Sequence, residues 1–218
     1  VYAVEVDPLL IERLRRSALA SNAKLALTQG DILHIHLADI LPRKKIKLAG
    51  NLPYSISTPV LFRIFDWRDH FSTLVLMVQK EVADRIAAGP GTKDYGTLSV
   101  WCQAHGRVTE KVAVSPEAFF PRPKVRSTVL KIELYDAPLI DDDAVPSLRG
   151  LVRASFGQRR KTLGNALITW LKCERGEIES FLRSQDIDPQ RRGETLSIEE
   201  FIKLSRAARI QHMPTTNT

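Results

Sequence analysis

The apolar positions of this chain change period as it runs. Val1–Val6 and Leu25–Gln29 read as short strands and Ile46–Ala49 as a third. The unbroken run Leu74-Val75-Leu76-Met77-Val78 reads as a strand covered on both faces. Between these the spacing is helical. Pro8–Ala20 sets Leu9, Leu10, Leu14 and Ala18 on one face, with Pro8 at a favoured first position, and helices follow at Pro59–Phe65 and Lys80–Ala88. Gly96–His105 predicts another helix, Val108–Val114 an alternating strand and Val129–Leu134 a further one. Strands alternating with helices predict an α/β sheet.

Beyond Ala137–Asp143, a polar, acidic, Pro-containing stretch, only helical patterns remain: Val145–Phe156, Thr162–Leu171, Ile178–Gln185 and Ser197–Arg209. Ser197-Ile198-Glu199-Glu200 has the spacing of a capping box. The expected division is a sheet domain over 1–138, a small all-α domain over 139–210 and a frayed tail over 211–218. The chain opens directly on a strand, which predicts that its natural N-terminus, and part of the sheet domain, lie before Val1.

Composition narrows the partners. The 218 residues are 44% apolar and 26% charged, with a formal charge of +7. Residues 1–144 hold 19 Lys and Arg against 17 Asp and Glu, and residues 145–218 hold 13 against 8. A basic helical third suits nucleic acid, although a solvated helical surface would show the same excess. Phe156-Gly157-Gln158-Arg159-Arg160-Lys161 forms a basic knuckle between two helices, a natural phosphate contact through Arg159, Arg160 and Lys161. Cys102 and Cys173 alone allow neither a disulfide framework nor a CxxC zinc site, and no metal site is expected. No apolar run approaches the roughly 18 residues of a membrane span, and no segment reads as a signal peptide. The expected location is the cytoplasm. His34 and His36 read as surface residues.

Asn51-Leu52-Pro53-Tyr54 carries the sharpest chemistry. It falls on a strand-to-helix turn, the edge of an α/β sheet where ligands bind. Ser57 or Thr58 is placed to cap the helix that follows. An adenine exocyclic amine is a poor nucleophile because its lone pair is delocalised into the ring. The Asn51 side-chain oxygen and the Leu52 carbonyl are two acceptors able to draw that amine toward tetrahedral geometry. Pro53 stiffens the turn and the Tyr54 ring can stack on the base. A plain Pro-containing turn with Tyr54 over the core would use the same residues.

Other segments fit around that turn. Glu5 ends one strand and suits ribose hydroxyls, and Asp31 after the next suits an adenine amine, with Ile32 against the ring. Caps or solvated carboxylates would look the same. Gly89–Gly96 resembles a phosphate loop but follows a helix and lacks the Gly-Lys-Ser/Thr ending; the expectation is a mobile loop near the substrate. Phe119-Phe120-Pro121-Arg122-Pro123-Lys124-Val125-Arg126-Ser127 offers two rings and the cations Arg122, Lys124 and Arg126 on a stretch that two prolines hold extended. A Pro-rich connection between strands is the simpler alternative.

These segments, with Val4–Asp7, Gly30–Leu33, Gln79–Arg85, Tyr95–Ser99 and Arg192–Ser197, resemble the ribosomal RNA adenine N6-dimethyltransferases, most closely the bacterial enzymes of small-subunit (16S) rRNA. The resemblance spans essentially the whole chain. It implies a Rossmann-like class I methyltransferase sheet with a small helical domain, and S-adenosylmethionine as methyl donor. It implies Glu5 on the cofactor ribose, Asp31 on its adenine, Asn51 and Leu52 on the target amine, and Tyr54 and Phe119 sandwiching the target base. The implied substrate is two adjacent adenosines near the 3′ end of small-subunit rRNA, within an assembling subunit, met by a monomer. The family's Gly-rich cofactor loop is expected before Val1. Ser55 stands where the family often has Asn, and Arg126 where it often has Asp. Competing readings are a non-catalytic checkpoint factor of small-subunit assembly, a large-subunit rRNA methyltransferase of the macrolide-resistance type, and an adenine-specific DNA methyltransferase.

Overall fold

The computed structural model describes residues 1–17 and 22–210. In chain order the elements are β1 (Tyr2–Glu5), α1 (Pro8–Arg16), β2 (Ala26–Gln29), β3 (Ile46–Asn51), α2 (Ser57–Asp66), β4 (Phe71–Gln79), α3 (Lys80–Ala87), α4 (Thr97–His105), β5 (Gly106–Val114) and β6 (Ser127–Leu134). Four helices follow: α5 (Val145–Gly157), α6 (Leu163–Leu171), α7 (Arg175–Ser184) and α8 (Ile198–Ile210).

The strands do not form one parallel sheet. β1 and β2 pair in parallel as a two-stranded sheet, and a separate four-stranded sheet has the order β3-β4-β6-β5. β3 runs parallel to β4, while β6 is antiparallel to both β4 and β5. The reason lies in the connection. A parallel return needs a crossover of a dozen or more residues, usually helical. The stretch between β5 and β6 carries Pro116, Pro121 and Pro123 and makes only a short 3-10 turn, Pro116–Ala118. It turns back instead.

That reversal sets the useful edge. Asn51 pairs with Met77, and Ser127 pairs with both Gln79 and Val114. The carboxyl ends of β3, β4 and β5 and the start of β6 therefore meet along one edge.

β4 is an interior strand, with Leu74, Leu76 and Val78 fully buried. α2 presents Val60, Leu61, Ile64 and Phe65 to the core, and α4 presents Leu98 and Trp101. One apolar cluster continues from the sheet into α5, α6 and α8 through Leu148, Leu151, Leu167 and Phe201. The Arg149 guanidinium lies 5.1 Å from the Trp101 ring centroid, so a cation on α5 covers a ring on α4. Gly193 sits where an added Cβ would lie 2.5 Å from Ser155 Cβ, which lets the turn before α8 press on α5.

Several expectations change. In α1, Asp7 caps the helix by accepting from the Leu9 N–H at 2.8 Å, and Pro8 opens it. The buried residue is Ile11, whereas Leu9 and Leu10 are exposed. Ala18 and Ala20 of the expected helix lie outside the described residues, as does the tail 211–218. Neither Ser57 nor Thr58 caps α2. Its N-cap is Ile56, and the Ser57 hydroxyl donates to the Pro53 carbonyl at 2.9 Å. The Phe120–Pro121 peptide bond is cis.

Gly89–Gly96 is not a free loop. The Tyr95 side chain is fully buried and its hydroxyl donates to the Leu196 carbonyl at 3.0 Å. Burial, with the nearby Glu199 and Glu200, pushes that phenol up, which keeps it a donor. The Gly91 N–H donates to the Glu194 carbonyl at 2.8 Å. The acidic stretch before α5 is anchored too. Ile140 is fully buried, Arg206 donates to Asp141 and to the Leu139 carbonyl, and Arg68 donates to Asp142 at 2.6 Å.

Candidate functional site

The Asn51 turn leaves two acceptors without a partner among the described residues. The Leu52 N–H donates to the Met77 carbonyl at 3.0 Å, so the backbone follows β4 one residue past β3. The Leu52 side chain is buried against the core and fixes the turn from below. The Pro53 carbonyl accepts from the Ile56 N–H at 3.1 Å and from the Ser57 hydroxyl. Among the described residues, neither the Asn51 carboxamide nor the Leu52 carbonyl accepts a hydrogen bond, and Asn51 is exposed. Two unspent acceptors on consecutive residues suit an N–H₂ group.

Tyr54 and the Phe119 segment reach this edge from different directions. The Tyr54 hydroxyl and the Ser127 Oγ lie 2.9 Å apart, and Ser127 is buried at the first position of β6. The Lys80 N–H donates to the Arg126 carbonyl at 2.9 Å, which fastens the same segment to the end of β4. Phe119 is half-buried with an extended backbone, and its N–H donates to the Pro116 carbonyl at 3.3 Å. Phe120 is fully exposed. Lys124 and Arg126 are exposed, and Arg122 is exposed but pairs with Glu117.

Glu5 and Asp31 stand together on the other sheet. The Gly30 N–H donates to the Glu5 carbonyl at 2.9 Å, so both carboxylates follow the carboxyl ends of adjacent parallel strands. Glu5 Oε1 accepts from the Asp7 N–H at 2.9 Å. Asp31 Oδ1 accepts from the Leu33 N–H at 2.9 Å, and Oδ2 lies 3.0 Å from His34 Nδ1. The Leu33 amide, with help from His34, holds the Asp31 carboxyl below its ordinary range. Ile32 is half-buried and packs against the core. Carboxylates with unused lone pairs fit a diol and an amine, so these residues suit a nucleoside cofactor. The two groups, Glu5 with Asp31 and Asn51 with Phe119, are carried by separate sheets.

The basic knuckle divides. Arg160 and Lys161 are exposed. Arg159 is exposed as well, but its donors are engaged within the protein: its Nε donates to Glu194 at 3.1 Å, and its Nη2 donates to the carbonyls of Lys93 at 3.1 Å and Tyr95 at 3.2 Å. It latches the loop before α4 to the turn before α8. The sequence reading gave no role to Ser127 or to this latch, because both depend on partners far along the chain.

A profile described as Ribosomal RNA adenine dimethylase matches residues 1–208. A protein of Geobacter metallireducens named Ribosomal RNA small subunit methyltransferase A is 48% identical over 211 residues, covering 95% of this chain and 76% of that protein. One of the same name from Syntrophus aciditrophicus is 43% identical over 211 residues, covering 94% and 74%. Among solved structures, a dimethyladenosine transferase from Plasmodium falciparum matches with a TM-score of 0.81 at 24% identity, covering 98% of this chain and 83% of that one. The 23S rRNA methyltransferase ErmE matches with 0.65 at 21% identity, covering 95% and 81%. At these identities the two structures bear on the fold alone.

Proposed function

The chain belongs to the ribosomal RNA adenine dimethylase family, and from that premise we propose how its own residues carry the reaction. The activity is S-adenosylmethionine-dependent dimethylation of adenine N6 in small-subunit rRNA. One observation supports the assignment of residues above the rest. The two unspent acceptors of the Asn51 turn share a sheet edge with the Phe119 segment, and Tyr54 bonds across to Ser127.

The target base is unstacked and held by its edge and its faces. Asn51 and the Leu52 carbonyl accept the two amine N–H bonds, which loosens the lone pair from the ring. Positive charge then grows on that nitrogen opposite two fixed dipoles, the arrangement that stabilises a charged transition state. Tyr54 and Phe119 stack on the base, and Pro53 keeps the turn rigid. Glu5 holds the ribose of S-adenosylmethionine, Asp31 its adenine amine, and Ile32 the ring face. When bound, that cofactor supplies a methyl group on a positively charged sulfur that departs as a neutral thioether. The methylated nitrogen is strongly acidic, so no dedicated base is required of the protein. The residues' task is positioning and electrostatics.

Within this reading, residues 1–138 are the methyltransferase domain and 139–210 the helical rRNA-binding domain. Arg122, Lys124, Arg126, Arg160 and Lys161 meet phosphates. The protein acts as a monomer, in the cytoplasm, on rRNA inside an assembling small subunit. The test incubates undermethylated small ribosomal subunits with S-adenosylmethionine and protein, then weighs the nucleosides after digestion. Dimethyladenosine is expected. Subunit binding without any methylated adenosine would overturn the reading in favour of an assembly factor.

A further inference from the structure

Phe120 is the most exposed large apolar side chain described, at 102% of its reference surface. It follows Phe119, whose backbone is extended at φ −122° and ψ 147°. Successive side chains on extended backbone point to opposite sides. The two side chains therefore leave the backbone on opposite sides. If Phe119 faces the target base, Phe120 faces away from it.

The surroundings say what kind of ligand suits it. Pro121 and Pro123 limit how far the segment can fold the ring back onto the protein. Lys124 and Arg126 are exposed close by along the chain, and Val125 is 40% exposed. A bare aromatic face followed four and six residues on by exposed cations, which make no ion pair among the described residues, is the pattern of a single-stranded nucleic-acid platform, where rings take bases and cations take phosphates. Drawing one adenine out of a loop also strips its neighbour of a stacking partner.

We propose that Phe120 is a second base-stacking site, taking an unpaired nucleobase that flanks the target adenine in the rRNA. This deepens the proposed function and rests on it. Phe120 touches no reacting atom, so its contribution lies in binding and not in the chemical step.

The test uses Phe120→Ala, Phe120→Leu and Phe120→Trp, with undermethylated small ribosomal subunits as substrate. Measured for each are KM and kcat for dimethyladenosine formation, the Kd for subunits, and the melting temperature. Phe120→Ala should raise KM and Kd about 10-fold, in line with the loss of one stacked base, with kcat and melting temperature unchanged. Phe120→Trp should restore binding and Phe120→Leu should not, because stacking needs a ring face. Binding by Phe120→Leu equal to the parent would overturn the proposal in favour of an apolar protein contact. Binding by Phe120→Ala equal to the parent would overturn it outright. If the parent chain makes no dimethyladenosine yet Phe120→Ala and Phe120→Leu still bind about 10-fold more weakly, the stacking site stands and the methyl-transfer reading fails.

Discussion

The Tyr54 hydroxyl and the Ser127 Oγ share a hydrogen bond of 2.9 Å across 73 positions of sequence. It is the direct side-chain tie between the Asn51 turn and the strand that follows the Phe119 segment. The two ends are unequal, because Ser127 is 1% exposed and Tyr54 is 36% exposed. Tyr54→Phe strands a buried hydroxyl, which costs about 1–3 kcal/mol. Ser127→Ala leaves the Tyr54 hydroxyl free to reach water and costs less. Denaturant midpoints should therefore fall further for Tyr54→Phe than for Ser127→Ala. Tyr54→Phe keeps the ring and most of the methylation, whereas Tyr54→Ala should lose about 10-fold or more. A larger loss for Ser127→Ala would show that packing at β6, and not the bond, governs the junction.

Asn51 supplies the acceptor that no other described residue occupies. Asn51→Ala removes a fixed dipole from the growing positive charge, and losses of about 100-fold or more in kcat accompany the loss of one such group. The side chain is exposed and bonds to no described neighbour, so stability should hold. Binding to subunits should hold too, because phosphates and stacked bases carry it. Turnover and subunit Kd measured on the same preparation separate the two effects. Equal falls in both would make Asn51 a binding residue only.

How far these features could be read in advance follows from the range of the interactions behind them. The capping box at Ser197 is local: the Ser197 N–H donates to Glu200 at 2.8 Å and the Glu200 N–H to the Ser197 Oγ at 3.2 Å, as the spacing predicts. The turn at Asn51 is also local, and β4 is legible because no polar residue interrupts its core. The reversal of β6 is not visible in periodicity, since strand direction is set by the connection and by the partner strand. The anchoring of Gly89–Gly96, where a mobile loop is expected, is hidden for the same reason. Tyr95 finds Leu196, and Arg159 finds Lys93, Tyr95 and Glu194, only once the chain has folded. Leu9 and Leu10 look like a buried face on a helical wheel, yet Ile11 takes that place.

The division of the basic knuckle makes a salt-dependence prediction. Each phosphate neutralised adds roughly 0.7–0.9 to the slope of log K against log salt. Arg160→Ala with Lys161→Ala should weaken subunit binding and flatten that slope by roughly 1.4–1.8. Arg159→Ala should leave the slope unchanged. It should instead lower stability by about 1–2 kcal/mol, since two backbone carbonyls lose a charged donor. The Glu194 pair adds little because both side chains are partly solvated. Binding isotherms across a salt series, beside denaturant curves, distinguish the two. A flattened slope for Arg159→Ala would return that residue to the RNA surface.

Glu200 gives the helical part a pH dependence of known sign. The Arg191 guanidinium grips it with two nitrogens, Nη1 on Oε1 and Nη2 on Oε2 at 2.9 Å, and the Ser197 N–H adds a third bond. Arg191 first, and then the Ser197 amide, hold the Glu200 carboxyl below its ordinary value of 4.5. A carboxylate whose folded value is depressed binds fewer protons folded than unfolded, so stability rises with pH across that interval. Its contribution is complete above pH 4.5 and disappears as pH falls through the lower folded value. Glu200→Gln cannot ionise and keeps only part of the grip. The stability gap between parent and Glu200→Gln should be about 1–2 kcal/mol at neutral pH and should close in acid. Using the difference cancels the other carboxylates held below their ordinary values, Asp84 and Asp186 among them. A gap that stayed constant down the acid limb would assign the loss to shape and not to charge.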